Sequence, residues 1–132
     1  MTLLFKRSSS VLHRNSKLYG PNNALDTSNP SSCWNSDSNE CHTFQVQFHR
    51  NVRVHQIKFT CQGGFVPQKV LVNNGQLLDL KDNNQTQEFV LDTNPCHTLT
   101  LTLRESTDFY GRITIYSIEV WGWEEVGIKE DN

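Results

Sequence analysis

The chain lacks the long apolar runs and the excess of one charge that would suggest a membrane or a nucleic-acid partner. No apolar stretch approaches the roughly 20 residues that a helix needs to cross a bilayer. Lysine and arginine total 12 and aspartate and glutamate total 14, so the formal net charge is −2. The longest basic run, Lys6-Arg7, is too short to form a phosphate-binding patch. We therefore expect neither a membrane span nor nucleic-acid binding.

The sequence also lacks the motifs of the common enzyme classes. It contains no GxSxG, P-loop, HExxH or Rossmann glycine pattern, and no spacing places two carboxylates in one cleft. Cys41-His42 lies close to Cys33, but the paired CxxC or HxxxH spacing of a zinc site is missing. We therefore expect a protein that is not an enzyme and that holds no zinc.

No segment near the N-terminus has the pattern of a secretory signal. Leu3-Leu4-Phe5 is too short for the apolar core of such a signal, and Lys6-Arg7 follows it instead of preceding it. We therefore expect an intracellular protein, cytoplasmic or nuclear, in which disulfides are rare and cysteines are thiols. The alternative is a secreted domain with two disulfides. The four cysteines are Cys33, Cys41, Cys61 and Cys96.

Short runs of alternating apolar and polar residues fill most of the sequence. Residues 44–48 and 99–103 alternate most clearly, which predicts half-buried strands, and no window has a sustained helical period. Polar turns separate these runs, and residues 15–23 are predicted to be loop because Gly20-Pro21 lies within them. Many short strands without helices predict one all-β domain over residues 1–132, with a structured core at about 8–124 and a polar tail at 125–132.

The alternation changes phase at two places. Apolar residues at 52 and 54 are followed by apolar residues at 57 and 59, and those at 113 and 115 by those at 118 and 120. A strand keeps both pairs on one face only if it contains an extra residue, so we predict β-bulges near His55-Gln56 and Tyr116-Ser117. The residues expected to face the core are Phe44, Val46, Phe48, Ile57, Phe59, Leu99, Leu101, Leu103, Ile113, Ile115, Ile118 and Val120.

Segments near opposite ends of the chain resemble discoidin domains, also called coagulation-factor C-type or galactose-binding-like domains. The first is Ala24-Leu25-Asp26 followed by Asn29-Pro30-Ser31-Ser32-Cys33-Trp34, and the last is Ile118-Glu119-Val120-Trp121-Gly122. The Gln62-Gly63 turn is similar as well. The resemblance implies an eight-stranded antiparallel jelly-roll β-sandwich.

Residues 9–15, 33–37, 62–65 and 107–112 resemble a small intracellular branch of that family, whose members associate with an orphan nuclear receptor. This closer resemblance implies a protein-interaction module that acts as an adaptor or repressor subunit. Its partner would be a nuclear receptor or a multi-subunit assembly. In a variant of this hypothesis, the chain is a subunit of a ciliary assembly.

The resemblance also implies a calcium site, which this chain matches only in part. Asp26 and Ser32 stand where the family places an aspartate and a threonine, but the loop between Asp26 and Trp34 is longer by one residue. Ser117 stands where many members have a glutamate. Calcium takes six or more oxygen ligands with carboxylates among them, so losing one carboxylate weakens the site. We expect no required cofactor and calcium as an optional ion at Asp26 and Ser32.

The strongest candidate for binding a partner is Asp108-Phe109-Tyr110-Gly111-Arg112. Aromatic and arginine side chains are enriched at interface hot spots, and binding residues concentrate on loops at one end of such folds. In the alternative reading, Arg112 only pairs with a loop carboxylate such as Asp26 and locks two loops together. Gln62, Gly63 and Phe65 join this candidate surface if Phe65 projects from its turn; otherwise Phe65 begins the core face of the next strand.

A carbohydrate-binding module of lectin type is the second functional hypothesis. A sugar site needs an aromatic platform and a few fixed polar groups. Asn35, Arg104, Asp108 and Tyr110 provide suitable groups if they converge. Among the tryptophans, Trp34 is expected in the core. Trp121 and Trp123 are expected on one face as a packed edge.

Overall fold

The computed structural model describes residues 3–8, 11, 14–25, 32–73 and 75–124. The described residues form an antiparallel β-sandwich of jelly-roll type with eight strands and two short helices, as predicted from the alternation and from the family resemblance. The elements are β1 (Leu3–Ser8), α1 (Ser16–Tyr19), α2 (Asn22–Leu25), β2 (Trp34–Asn35), β3 (Cys41–Cys61), β4 (Pro67–Val72), β5 (Gln76–Asp79), β6 (Thr86–Val90), β7 (Cys96–Ser106) and β8 (Thr114–Glu124). The tail at 125–132 lies outside the described residues.

One long strand, β3, belongs to both layers of the sandwich. Its first half pairs with β1 and β7, and β7 continues the layer through β4 to β5. Its second half pairs with β6 and β8, and β8 continues the other layer to β2. Because β7 and β8 lie in different layers, the loop between them crosses from one layer to the other.

The core between the layers consists of the residues that the alternation placed there. Of the twelve core residues predicted, all are buried except Val120, which is partly buried and packs against the others. The alternation within β3 and β7 accounts for this result, since successive side chains of a strand point to opposite faces.

The two predicted bulges are present. The β3–β8 register shifts between Val54 and Gln56, so that His55 is the extra residue. It shifts again where Thr60 pairs with Ser117 and Cys61 pairs with Ile115, which makes Tyr116 the extra residue. These shifts keep the apolar side chains of both strands inward after the phase changes.

Two short helices correct the prediction that residues 15–23 form a loop and that the domain has no helix. Each helix has four residues, too few for a helical period to be visible in the sequence. Helix α2 begins directly after Pro21, a position at which proline is tolerated, and buries Ala24 against β8. Neither helix, nor any other in the described ranges, is long and apolar enough to span a bilayer.

All four cysteines are free thiols in very different surroundings, which predicts an order of chemical reactivity. Cys41 is exposed, whereas burial raises the pKa of Cys33 and of Cys96 and raises that of Cys61 to about 12. The thiolate is the reactive form, so we expect Cys41 to be labelled first in the native protein and Cys61 last. Labelling with a thiol reagent, followed by mass mapping, measures the order. The unfolded protein without reductant should give four thiols, and a lower count would contradict this prediction.

Candidate functional site

Three loops meet at one end of the sandwich and are joined by hydrogen bonds. The loop between β5 and β6 reaches the turn after β3, where Asn84 Oδ1 accepts a hydrogen bond from Gly63 N at 2.6 Å and Asp82 Oδ1 accepts one from Gly64 N at 2.7 Å. The Thr107 hydroxyl, from the loop after β7, donates to Asp82 Oδ1 at 3.1 Å. These contacts fix the positions from which side chains project at this end.

The loop from β7 to β8 is closed by an ion pair within itself. Arg112 Nε and Nη2 donate to the two carboxylate oxygens of Asp108 at 3.0 and 3.2 Å, and Arg112 N donates to Asp108 Oδ2 at 3.0 Å. The side-chain bond from Arg112 is the main reason that the pKa of Asp108 is lowered. Arg112 therefore does pair with a loop carboxylate, and that carboxylate is Asp108, four residues earlier. Asp26, which the sequence suggested as a possible partner, lies outside the described residues.

Arg112 also organises the aromatic side chains of this end. Its guanidinium carbon lies 5.4 Å from the centre of the Phe65 ring and 5.5 Å from that of Tyr110. These distances are within the range of cation–π contacts. Phe65 is half-buried in the turn before β4 and is held there by Arg112, so it neither projects freely nor begins the core face of β4.

Phe109 and Tyr110 form the most exposed aromatic pair among the described residues. Phe109 is 92% exposed and Tyr110 is 64% exposed, and their rings meet edge to face at 5.2 Å between centres. Beside them runs a groove of about 530 Å³, which we call the loop groove. Its lining residues are Ser38, Asn39, Glu40, Glu105, Ser106, Asp108, Phe109, Tyr110 and Gly111.

A second, smaller pocket lies on the other side of Arg112. It has a volume of about 190 Å³ and is lined by Asn35, Ser36, Gln62, Phe65, Arg112 and Thr114. The Asn35 side chain is fixed there, because its Nδ2 donates to Cys33 Sγ at 3.1 Å and its Oδ1 accepts from the Thr114 hydroxyl. Asn35, Gln62, Phe65 and Arg112 thus converge here, whereas Asp108 and Tyr110, which the sugar-site prediction grouped with Asn35, line the loop groove instead.

Arg104 is the predicted site residue that the structure separates from the others. It lies on β7, opposite Cys41 of β3 and Lys69 of β4, and lines neither the loop groove nor the smaller pocket. Gly63 also lines neither cavity, and its role is to bond the loop that contains Asn84.

Comparison with known proteins places the chain in a family by sequence. No protein-family model matches it. The nuclear receptor 2C2-associated protein of Xenopus tropicalis is 34% identical over 130 residues, which cover 92% of this chain and 95% of that protein. The human protein of the same name is 32% identical over 125 residues, which cover 88% and 89% of the two chains. The chain belongs to the nuclear receptor 2C2-associated protein family.

Solved structures confirm the discoidin-like fold of this family member. The F5/8 type C domain of a Bacteroides fragilis protein aligns with a TM-score of 0.74 at 12% identity and covers 92% of both chains. Chitosan-binding module 1 of a Paenibacillus chitosanase/glucanase aligns with a TM-score of 0.72 at 12% identity and covers 89% of this chain and 94% of that one. At such low identity these likenesses establish the fold alone.

Two residues beneath the loops were not singled out from the sequence. The ring of His42 is buried, and its Nε2 donates to Gly111 O at 2.7 Å. Ser36 Oγ accepts from Ile113 N at 2.9 Å, so both residues anchor the loop after β7 to β2 and β3. His42 lies two residues before Phe44, so the alternation places both side chains on the inward face of β3. The alternation in the sequence was therefore sufficient to predict that His42 is buried.

The tryptophans divide into one buried residue and two half-exposed ones. Trp34 is fully buried, as predicted. Trp121 and Trp123 are 49% and 50% exposed, with Lys58 Nζ 5.8 Å from the Trp121 ring centre and the His55 ring 4.9 Å from that of Trp123. They share one face, as predicted, but neighbouring side chains cover each ring only in part.

The calcium site that the family resemblance implies lies partly outside the described residues, which do not include 26–31. No group of three or more His, Cys, Asp or Glu side chains converges among the residues that are described. Ser32 Oγ donates to Asn23 O at 3.0 Å, and Asp26 lies outside the described residues. Calcium prefers several oxygens with carboxylates among them, which Ser32 and Ser117 alone do not provide.

We therefore expect the melting temperature to be the same in excess EDTA and in millimolar calcium. A resident ion at about 100 times its dissociation constant would stabilise the protein by about 2.7 kcal/mol, which raises the melting temperature by several degrees. Differential scanning fluorimetry compares the two conditions. A rise of that size in calcium, removed by Asp26→Asn, would contradict the expectation and establish a site at Asp26.

Proposed function

We propose that this chain is a non-enzymatic adaptor or repressor subunit that binds a protein partner through the exposed Phe109–Tyr110 pair. The observation that supports this proposal most is the exposure of two adjacent aromatic rings on a loop that is closed by the Asp108–Arg112 ion pair. Rigid aromatic side chains lose little conformational entropy on binding, which makes them effective contact residues.

The names of the relatives support a nuclear receptor as the class of partner. The relatives from Xenopus tropicalis and human are named for association with nuclear receptor 2C2, so a nuclear receptor is the partner to test first. Such a partner requires an intracellular location, in the cytoplasm or the nucleus. Imaging of the tagged chain checks this, and accumulation in the cilium would favour a subunit of a ciliary assembly instead.

Replacing Phe109 with alanine should weaken binding to nuclear receptor 2C2 about 30-fold. Removing a hot-spot aromatic costs about 2 kcal/mol of binding energy, and Phe109 touches too little of the protein to affect its stability by more than about 0.5 kcal/mol. Interferometry with the immobilised receptor measures the dissociation constant, and thermal denaturation measures stability. Trp121→Ala is the matched control, since it removes a half-exposed aromatic far from the loop.

Equal binding by the Phe109→Ala variant and the wild type would contradict the proposed contact. A large loss of stability would also contradict it, because it would make Phe109 a structural residue.

The smaller pocket supports carbohydrate binding as a second candidate function. The Phe65 ring gives it one aromatic surface, and the side chains of Asn35, Gln62 and Arg112 give it several polar groups. Related folds include chitosan-binding modules, which supports glycans as probes. A glycan array with the wild type and Gln62→Ala tests this function. Arg104→Ala is the control, because Arg104 lies outside the pocket.

A further inference from the structure

The loop groove is acidic as well as aromatic. Glu40 and Glu105 line it together with Phe109 and Tyr110. We infer that the groove binds a partner segment that carries a lysine or arginine side chain. This inference rests on the proposed function, because it names the kind of segment that the same loop would recognise.

Glu40 and Glu105 flank the point where one strand pair ends. The last paired position of β3 and β7 joins Cys41 to Arg104, and Glu40 and Glu105 are the residues next to that pair. Both residues are exposed. A cation placed in the groove between Glu40 and Glu105 would be attracted by both carboxylates.

The protein does not provide that cation from the neighbouring side chains. Within the described part of the chain, the ion pairs of this region join Arg112 to Asp108 and Lys69 to Asp79. Glu105 raises the pKa of Lys69 only as a minor cause after Asp79, which binds the ammonium group directly. Arg104 does not line the groove. Glu40 and Glu105 therefore remain available to a partner.

The aromatic side of the groove suits the rest of such a side chain. A long cationic side chain lays its methylene groups on apolar surface and keeps its charge at the polar end. Phe109 offers a largely uncovered ring, on which the methylene groups or the charge of such a side chain can lie. An acidic segment would meet two carboxylates, and a purely apolar one would leave them buried without a partner.

Selection from a displayed library of random 12-residue peptides tests the inference on the full chain. We expect the selected peptides to be enriched in lysine or arginine next to an apolar residue. The double variant Glu40→Gln/Glu105→Gln should bind a selected peptide about tenfold more weakly at low salt, and the difference should shrink at 0.5 M salt, where charges are screened within about 4 Å. The matched control is Glu119→Gln/Glu124→Gln, which changes the net charge equally on a different surface.

The outcomes separate this inference from the proposed function. Peptides without lysine or arginine that lose binding in Phe109→Ala would overturn the inference and leave the proposed function in place. Equal weakening by the two double variants would overturn it as well, because the attraction would then be general. Basic peptides that bind Phe109→Ala as tightly as the wild type would overturn both, because Phe109 would then not be a contact residue. An absence of selected peptides would overturn the inference alone, since the proposed function is tested with the whole receptor.

Discussion

Replacing Gly111 with alanine should lower the free energy of unfolding by about 3–5 kcal/mol, because strain and a steric clash act at the same position. Gly111 has a φ of 80°, in the left-handed region that side chains other than that of glycine rarely adopt. A Cβ atom there would lie 2.2 Å from the carbonyl oxygen of Asn39, which belongs to the backbone and has little freedom to move. The Gly111 carbonyl also accepts the hydrogen bond from His42, so a shift of the loop disturbs that buried contact.

Gly64→Ala is the matched control for this prediction. Gly64 has a φ of 91°, but no atom lies within 4 Å of the position that a Cβ would take. Its replacement should therefore cost only the backbone strain, about 1–2 kcal/mol. Denaturant unfolding of both variants measures the two costs. Equal losses would mean that the Asn39 contact contributes nothing, and the close approach of the two loops would then be wrong.

Replacing Trp34 with alanine should lower the free energy of unfolding by about 3–5 kcal/mol, the cost of removing a buried aromatic side chain. Trp34 is fully buried and meets Phe44 edge to face, with ring centres 5.2 Å apart. Its ring also lies 6.4 Å from that of His42, so the cavity would open beneath the loop that carries Phe109. Stability and partner binding should therefore fall together in this variant.

The same substitution at Trp121 provides the comparison, because Trp121 is 49% exposed. We expect a loss of about 1 kcal/mol or less there, since half of the ring is already in contact with water. Chemical denaturation followed by circular dichroism measures both variants. Similar losses at the two positions would contradict the assignment of Trp34 to the core.

The alternation of apolar residues was sufficient to predict the longer strands, the core and the two bulges. Each of these features follows from side chains two residues apart lying on the same face of a strand, which can be read locally in the sequence. The alternation missed β1, which precedes the structured core predicted at about 8–124. The short helices were missed because one helical turn has no repeat to detect. Val120 lies at the margin of the core, where it is partly buried and packs against the buried residues.

The candidate site was predicted less completely, because it depends on how loops approach one another. The sequence indicated that Arg112 binds a carboxylate, but choosing Asp108 over Asp26 requires the conformation of a turn. Arg104 was grouped with Asp108 because they are close in sequence, yet the β7 ladder places it between β3 and β4, outside both cavities. Glu40 and Glu105 come together only through the register of β3 and β7, which no local pattern specifies.

The loop from β7 to β8 joins the two layers of the sandwich, and this connection gives partner binding a global effect. A ligand held between residues 38–40 and the loop at 105–111 contacts segments that continue into both layers. Separating the layers would then require the ligand to dissociate first. Binding therefore raises the free energy of unfolding of the whole domain. The increase is about 2.7 kcal/mol when the partner concentration is about 100 times the dissociation constant. Thermal denaturation thus becomes a sensor of partner capture, even though the groove lies at one end of the fold.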